Sequence, residues 1–328
     1  MKKTLRPIRT ATVIGIGLIA FGISGCGTAA PFTDAAATEE GYPVEIVDCG
    51  TTLSLDHAPQ KVFTVGTAAV ELIDAAGASD RIIARSGEFD APLSPDVSNP
   101  PSNDLIVDAF DPTTEQIVGS GADTVIGYGL FSADPDQVVA AGIQLITVSG
   151  ECGHDATTGA APVVDFVTIS DDVRRFGQIF GTSEIADVEA DAISARIAVA
   201  ERPASGEDAA WVYYFSGESG ISAYGAVGIP DAALTAAGLE NTFQDQEASY
   251  LDTSMEALLE RQPQWIIISY GFTGDTAEQA KERFVAEPGA ASLQAVTDDR
   301  IVLIPSAVTG AGPSAVNGVE LLVAGTND

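Results

Sequence analysis

The stretch that decides the fold is VVDFVTISDDVRRFGQIFGTSEIADVEADAISARIAVAER, residues 163–202. It has little strand pattern and no glycine beyond Gly177 and Gly181. Apolar side chains recur at helical spacing on both sides of Gly181: Val173, Phe176, Ile179 and Phe180 before it, and Ile185, Val188, Ala192, Ile193 and Ile197 after it. The pattern predicts a long, slightly broken helical segment that ends at the turn-rich spacer Pro203–Asp208.

Both flanks of this segment alternate short apolar strands with helices. Before it, strands are predicted at Val62–Val65, Arg81–Ala84, Thr124–Gly127 and Gln144–Val148, with helices over 69–76, Thr113–Val118 and Pro135–Ala141. After it, strands are predicted at Trp211–Phe215, Trp265–Ser269 and Ile301–Ile304, with helices at Asp231–Ala237, Ser254–Arg261, Thr276–Val285 and from about Ser314. This alternation is typical of a parallel sheet covered on both faces. We therefore predict an α/β fold with two Rossmann-like lobes, residues 42–162 and 203–328, joined by a long helical backbone over 163–202.

The first 26 residues combine a basic start, a mostly apolar run from Ala11 to Ile23 and small residues before Cys26. This pattern predicts a secretory signal over residues 1–25. The run Ile23-Ser24-Gly25-Cys26 resembles a bacterial lipobox, whose cysteine is lipidated. A signal anchor that stays in the membrane is the alternative, but the apolar run is shorter than the roughly 20 residues that span a bilayer. We expect a lipid-anchored protein on the extracytoplasmic face of the cell membrane, with residues 26–41 as a flexible tether.

The formal net charge of the chain is −32, and all four basic residues of the signal are lost on processing. The mature protein is therefore more acidic still. Such a charge repels nucleic acid and anionic membranes, so we expect no nucleic-acid partner. The acids are spread along the chain, which indicates a solvated acidic surface.

Three cysteines are present. With Cys26 assigned to lipid, Cys49 and Cys152 remain as a pair in an oxidising compartment, and we predict a disulfide between them. Their spacing excludes a CxxC metal or redox site, and a paired thiol cannot act as a nucleophile.

Four runs appear in order along the mature chain: YPVEIVDCGTTL at 42–53, APQKV at 58–62, VELIDAAG at 70–77 and SMEALLERQPQWIII at 254–268. Together they resemble the class III solute-binding proteins of ABC importers, the iron-siderophore, haem and cobalamin group. The resemblance implies a monomer that captures a bulky ligand between its lobes and delivers it to a permease powered by an ATPase. It also implies that Cys49 pairs with Cys152, as cysteines at these places do in some relatives.

The resemblance further implies that Glu71 and Glu256, one on each lobe, dock onto arginines of the permease. The helical pattern places Glu71 opposite Leu72 and Ile73, on the solvent side of its helix. Both residues have a simpler alternative as surface acids. Thr253-Ser254-Met255-Glu256 also fits a capping box, in which Glu256 would satisfy a backbone donor.

Ligands of open α/β sheets bind at the carboxyl ends of the strands, so the site is expected in the cleft between the lobes. Residues that follow predicted strands or lie in nearby loops are the candidate contacts: Arg85, Ser86, Tyr128, Phe131, Tyr224, Tyr270 and Phe272. Aromatic rings and one arginine suit a bulky, conjugated or iron-chelating ligand.

The ligand class remains open between a ferric siderophore, haem and cobalamin. Siderophore binders often carry Gly-Pro-Arg near the last helix, where this chain has Gly312-Pro313-Ser314. With few basic residues to meet an anionic catecholate, a neutral or cationic hydroxamate complex is favoured. Only His57 and His154 are present, so a zinc or manganese site is not expected and no cofactor is predicted. Haem would need a tyrosine or His154. No hydrolase or nucleotide-binding motif is found, so an enzyme is not expected.

Overall fold

The computed structural model describes residues 41–153, 164–216, 219–272 and 274–326. The predicted signal, Cys26, His154 and all but the last residue of the tether lie outside these ranges. Among the described residues, no helix combines the length and apolarity that a membrane crossing requires.

The first lobe is built on a five-stranded parallel sheet. Its elements, in chain order, are β1 (Val44–Asp48), β2 (Thr51–Leu55), β3 (Val62–Val65), α1 (Thr67–Ala75), β4 (Ile82–Ser86), β5 (Ile106–Asp108), α2 (Thr114–Ser120), β6 (Thr124–Gly127), α3 (Pro135–Ala140) and β7 (Gln144–Thr147). The strand order is β5-β4-β3-β6-β7. Every residue of β3 and β6 is buried, as expected for central strands with helices on both faces.

The antiparallel hairpin β1–β2 is a separate two-stranded sheet. The structure joins Cys49, at its turn, to Cys152 beyond β7 by a disulfide, with the Cα atoms 5.4 Å apart. Arg175 adds hydrogen bonds to the carbonyl oxygens of Val47 (3.0 Å) and Thr147 (2.5 Å). The hairpin is thereby fixed to the end of β7.

The segment predicted as one long helix is a pair of helices, α4 (Phe166–Phe180) and α5 (Ser183–Ala200). Gly181 ends α4 in the left-handed conformation that glycine adopts without strain (φ 70°). The two helices run antiparallel, since Ser170 meets Ser194 (3.0 Å) while Arg174 pairs with Asp191 (2.7 Å). The segment is helical as predicted, but the chain reverses within it. Only α5, about 27 Å long at 1.5 Å per residue, leads on to the second lobe.

The second lobe has a six-stranded mixed sheet. Its elements are β8 (Asp208–Tyr213), β9 (Ser222–Tyr224), α6 (Ile229–Ala236), β10 (Glu240–Asn241), β11 (Tyr250–Asp252), α7 (Met255–Arg261), β12 (Trp265–Tyr270), α8 (Ala277–Ala286), α9 (Gln294–Thr297), β13 (Ile301–Pro305) and α10 (Ala315–Thr326). The order is β11-β9-β8-β12-β13, and β10 pairs with the start of β8. The strands β8, β12 and β13 are parallel, while β9 and β11 add an antiparallel edge that the sequence pattern did not predict.

One hydrophobic core runs through both lobes. It includes Leu72 of α1, Phe176 of α4, Ile193 of α5, Leu234 of α6 and Leu322 of α10, all buried. The helices between the sheets therefore share their packing with both lobes, and the lobes hold a defined relative position.

Candidate functional site

A cavity of about 710 Å³ lies between the two lobes. Its walls come from the segments that follow β3, β4, β6 and β7 in the first lobe and β8, β12 and β13 in the second. These are the carboxyl ends of parallel strands, where open α/β sheets place their ligands. The volume lies in the range of roughly 300–1,000 Å³ that is usual for small-molecule sites.

Eight aromatic residues of the described ranges line the cavity: Phe89, Tyr128 and Phe131 in the first lobe, and Tyr213, Phe215, Tyr224, Tyr250 and Phe272 in the second. In the second lobe, Tyr213 stacks on Tyr224 with ring centroids 4.8 Å apart and lies 5.2 Å from Phe272. Across the cleft, the rings of Phe89 and Phe215 meet edge to face, with their centroids 5.6 Å apart. The wall thus offers rings for stacking from both sides of a bound molecule.

Four carboxylates also line the cavity, Glu88, Asp111, Glu151 and Asp252, and none of the described lining residues is Lys, Arg or His. Asp111 Oδ1 accepts a hydrogen bond from the Phe131 backbone N–H (3.4 Å). Its Oδ2 is buried without a hydrogen-bond partner among the described residues. The wall therefore favours a neutral or positively charged ligand over an anionic one.

Three of the cavity tyrosines, Tyr128, Tyr213 and Tyr224, are held in their neutral form. Burial raises the pKa of Tyr213 to about 12, and it raises the pKa of Tyr224 further. Burial also raises the pKa of Tyr128, to which the charges of Asp111 and Glu151 contribute. These phenols can donate and accept hydrogen bonds, but they resist ionisation.

The sequence profile of the family described as periplasmic binding protein matches residues 62–308. The chain belongs to this family. It is a family of binding proteins, and this periplasmic binding protein is not an enzyme. No curated protein matches the chain by sequence.

Solved structures share the fold. The ABC-type Fe³⁺-hydroxamate transport system protein from Saccharomonospora viridis is 21% identical, with a TM-score of 0.75 over 88% of this chain and 100% of the other. A periplasmic heme-binding protein from Pseudomonas aeruginosa is 20% identical (TM-score 0.62, 81% and 92% covered). A periplasmic vitamin B12 binding protein from Vibrio cholerae is 19% identical (TM-score 0.59, 82% and 97% covered). At these identities the likeness establishes the two-lobed fold.

Four of the predicted ligand contacts line the cavity: Tyr128, Phe131, Tyr224 and Phe272. Tyr270 does not line the cavity. Side chains alternate along a strand, and Tyr270 shares the face of β12 that carries Ile266 and Ile268, against a separate core of the second lobe. Position after a strand was the only basis for the prediction, and it does not specify the face.

Arg85, also expected at the site, lies outside the cavity lining. Its side chain is 1% exposed and forms a bidentate ion pair with Glu88 (Nε–Oε1 2.7 Å, Nη2–Oε2 2.6 Å). Its remaining nitrogen, Nη1, donates to the carbonyl oxygens of Pro101 (2.8 Å) and Ser102 (3.1 Å). Arg85 therefore fixes the loop after β4, which carries Glu88 and Phe89 into the cavity wall. Its neighbour Ser86 is buried as well.

The prediction that Glu71 faces solvent is wrong, because its side chain is 4% exposed. The segment before α10 covers it, and its Oε2 accepts a hydrogen bond from the Ser314 backbone N–H at 3.0 Å. Helical spacing gave the correct face relative to the first lobe. It could not show that part of the second lobe packs on that face, so a buried Glu71 cannot reach a permease arginine in this conformation.

Glu256 is exposed, as predicted. The N-cap of α7 is Ser254, whose hydroxyl accepts from the Ala257 backbone N–H (3.3 Å). Glu256 is therefore the second helical residue and not the third, so the predicted capping box does not form. Hydrogen bonds from its own amide and from Ser254 lower its pKa, which keeps the carboxylate ionised.

Several cavity residues were not predicted. Tyr213 and Phe215 could have been found, because they occupy alternate positions at the carboxyl end of the recognised strand at 211–215, the edge where the ligand site was expected. Phe89, Asp111 and Tyr250 lie in loops without a periodic signal. No group of three or more His, Cys, Asp or Glu side chains in the described part of the chain is arranged to hold a metal ion.

Proposed function

We propose that this protein is the extracytoplasmic component of an ABC importer that captures a ferric siderophore of the neutral or cationic hydroxamate type. The observation that carries the proposal is the cavity wall, with eight aromatic residues, four carboxylates and no base among its described residues. A fold shared with the Fe³⁺-hydroxamate transport protein from Saccharomonospora viridis supports it.

Charge selects among siderophores. Arg85 neutralises Glu88, and two further lining carboxylates, Asp111 and Asp252, add negative charge to the described wall. A multiply anionic catecholate complex would meet their repulsion in a partly desolvated cleft, where charges interact more strongly than in water. A neutral hydroxamate complex avoids this repulsion, and a cationic one gains from the same carboxylates.

Haem is disfavoured by the same wall. Iron ligation by a tyrosine requires loss of the phenolic proton, and burial raises the pKa of Tyr128, Tyr213 and Tyr224 against that loss. The propionates of haem would also face the cavity carboxylates. The other predicted haem ligand, His154, lies outside the described residues. Charge does not discriminate against cobalamin, which is therefore included in the test.

The test is ligand binding by the full-length protein in detergent, measured by the quenching of its tryptophan and tyrosine fluorescence. The panel is a cationic ferric trihydroxamate, a neutral ferric trihydroxamate, an anionic ferric tris-catecholate, haem and cobalamin. We expect saturable binding of the two hydroxamates and at least about tenfold weaker binding of the catecholate. Preferential binding of the catecholate or haem would overturn the proposal, and tightest binding of cobalamin would replace the ligand class.

A variant separates charge from shape. Asp111→Asn should weaken binding of the cationic complex by about fivefold, as for an interaction near 1 kcal/mol, and leave the neutral complex within about twofold. Asp136→Asn is the matched control, because it removes the same charge from an exposed residue of α3 that does not line the cavity. Equal losses of affinity for both ligands would show that Asp111 contributes to the shape of the wall and does not discriminate between ligands by charge.

Anchoring and delivery are part of the proposal. Cleavage after residue 25 and lipidation of Cys26 would place the protein on the outer face of the cell membrane, as a monomer on a tether. Cys26→Ala should abolish incorporation of a labelled fatty acid, and unchanged labelling would exclude Cys26 as the acceptor.

Exposed and ionised, Glu256 remains the candidate that meets a permease arginine. Glu256→Arg should abolish uptake and leave ligand affinity intact, whereas a loss of affinity would refute the docking role. Glu260→Arg, at an exposed residue near the end of the same helix, is the control for general charge effects.

A further inference from the structure

Glu71 joins the two lobes immediately behind the ligand cavity. One turn before it on α1, Ala68 lines the cavity from the first lobe, while Gly310 and Ala311 line it from the second. The hydrogen bond from the Ser314 backbone N–H to Glu71 Oε2 (3.0 Å) connects these two walls, between residues 243 positions apart in the chain. The hydrogen bond between Ser314 and Glu71 is therefore placed to control the distance between the two cavity walls.

The local packing is built for this contact. A Cβ atom on Gly312 would lie 2.6 Å from Glu71 Oε2 and 3.0 Å from the Cα of Ala68, so only glycine allows the segment to approach α1 this closely. Ser314, whose backbone N–H points toward the carboxyl, directly precedes the twelve-residue helix α10. Glu71 is 4% exposed, and its second oxygen, Oε1, is buried without a hydrogen-bond partner among the described residues.

The charged groups that face Glu71 are carboxylates. Asp74 lies on α1 itself, and Asp96 lies on the loop between β4 and β5. Asp96 is paired with Arg196 of α5 (3.2 Å), which also binds Glu320 of α10 (2.8 Å). No ion pair within the described ranges includes Glu71. Among the described residues, the hydrogen bonds from Ser314 are therefore what compensates a negative charge on Glu71.

We propose that Glu71 is a positioning residue, a protonated clasp that holds the two lobes together behind the cavity and releases them when its carboxyl is ionised and hydrated. In the closed contact the neutral carboxyl is favoured, because desolvation penalises the charged form. When the contact opens, water reaches the carboxylate and stabilises its charge. Opening therefore releases a proton, and rising pH favours it.

The size of the effect follows from linkage. Burial raises the pKa of Glu71 from its ordinary value of 4.5 to about 7, against the hydrogen bonds from Ser314 that lower it. If the pKa of the opened carboxyl returns to the ordinary value, the ratio of open to closed contact grows about tenfold between pH 6 and pH 8. Most of the increase falls below and around pH 7, where the closed form still holds its proton.

Hydrogen–deuterium exchange at the Ser314 amide in the ligand-free, full-length protein tests the clasp. Exchange of this amide requires opening of the contact. Glu71→Gln keeps a carbonyl oxygen for the hydrogen bond but cannot ionise. The ratio of the exchange rate in wild type to that in Glu71→Gln cancels the intrinsic pH dependence of exchange. We expect this ratio to rise about tenfold from pH 6 to pH 8.

Three controls make the outcome decisive. Glu256→Gln removes an exposed carboxylate in the second lobe. The ratio of the Ser314 exchange rate in wild type to that in Glu256→Gln should therefore not change with pH. Glu71→Ala should exchange faster at both pH values. Carbon-13 NMR of the wild type, labelled at glutamate, should show one carboxyl that titrates near pH 7. The clasp proposal would be overturned if the ratio of the exchange rate in wild type to that in Glu71→Gln stayed constant from pH 6 to pH 8. It would also be overturned if every glutamate titrated below about pH 5.5. Because no ligand is present, these outcomes do not depend on the proposed function.

Discussion

Replacing Arg85 with methionine tests whether this arginine fixes the cavity wall or contacts the ligand. In the structure its guanidinium is fully engaged, with two nitrogens on Glu88 and the third on the carbonyl oxygens of Pro101 and Ser102. The side chains of Arg85 and Glu88 are 1% and 4% exposed. Arg85→Met leaves the Glu88 carboxyl buried without its partner.

The expected cost is large. Removing one member of a buried ion pair destabilises a protein by about 3–5 kcal/mol, because the remaining charge is uncompensated. The double variant Arg85→Met/Glu88→Leu removes both charges and keeps similar volume. It loses the hydrogen bonds to the two carbonyl oxygens, at about 1 kcal/mol each. We therefore expect the double variant to be less destabilised than Arg85→Met, with a coupling energy of at least about 2 kcal/mol.

The assay is equilibrium unfolding in urea at pH 7 for the wild type, both single variants and the double variant. Arg81→Met is the matched control, because Arg81 lies just before β4 with its side chain 33% exposed and should change stability by no more than about 1 kcal/mol. A loss below about 1 kcal/mol for Arg85→Met would refute the structural role. Additive losses in the double variant would refute the coupling.

The same variants also test whether Arg85 contacts the ligand. The double variant exchanges a neutral pair of charges for two neutral side chains, so the net charge of the wall is unchanged. Affinity for the cationic ferric trihydroxamate should stay within about twofold of wild type. A tenfold loss of affinity in a stably folded double variant would restore Arg85 as a ligand contact.

Three further predictions concern stability. Replacing Cys49 and Cys152 with serine should lower the free energy of unfolding by about 5 kcal/mol, as expected for a closed loop of about 100 residues, and a loss below 1 kcal/mol in urea would contradict this. Because the pKa of Glu71 is raised to about 7, its stabilising contribution is complete below pH 4.5 and is lost as pH rises through 7. Relative to Glu71→Gln, the free energy of unfolding of the wild type, measured by urea titration, should fall by about 3 kcal/mol between pH 4 and pH 8.5. Gly127→Ala places a Cβ 2.4 Å from a carbonyl oxygen of β3 and should lower the thermal midpoint, at a cost of about 1–3 kcal/mol. Gly119→Ala, in open space on α2, should raise the midpoint instead, and the reverse order would refute the packing argument.

The parts of the fold that the sequence predicted correctly are those with a strong local period. The strands β3 and β12 are mostly apolar and buried, and α2 begins at a capping box formed by Thr113 and Gln116. The strands β5, β9, β10 and β11 were missed because each has only two or three residues, too few to establish alternation.

Long-range packing explains the errors at the site. Glu71 lies on the face that its helix presents away from the first lobe, as the pattern indicated, but the residue that covers it is 243 positions away in sequence. Tyr270 and Phe272 were predicted together, yet only Phe272 reaches the cavity. Composition was more informative about the charge of the cavity wall than position, because the scarcity of basic residues in the chain is repeated in the described lining.

The shared core limits how this protein can select its ligand. Apolar residues of α1, α4, α5, α6 and α10 pack in one cluster, and separating the lobes would expose that surface at about 25 cal/mol per Å². An opening that exposed an additional 200 Å² would cost about 5 kcal/mol, comparable to the whole stability of a marginal domain. Contacts outside this cluster, such as Phe89 with Phe215 and Glu71 with Ser314, can break at lower cost. We therefore expect lobe movement to be small. On the proposed function, discrimination between ligands then rests on the chemistry of the preformed wall, above all on its aromatic rings and the carboxylate of Asp111.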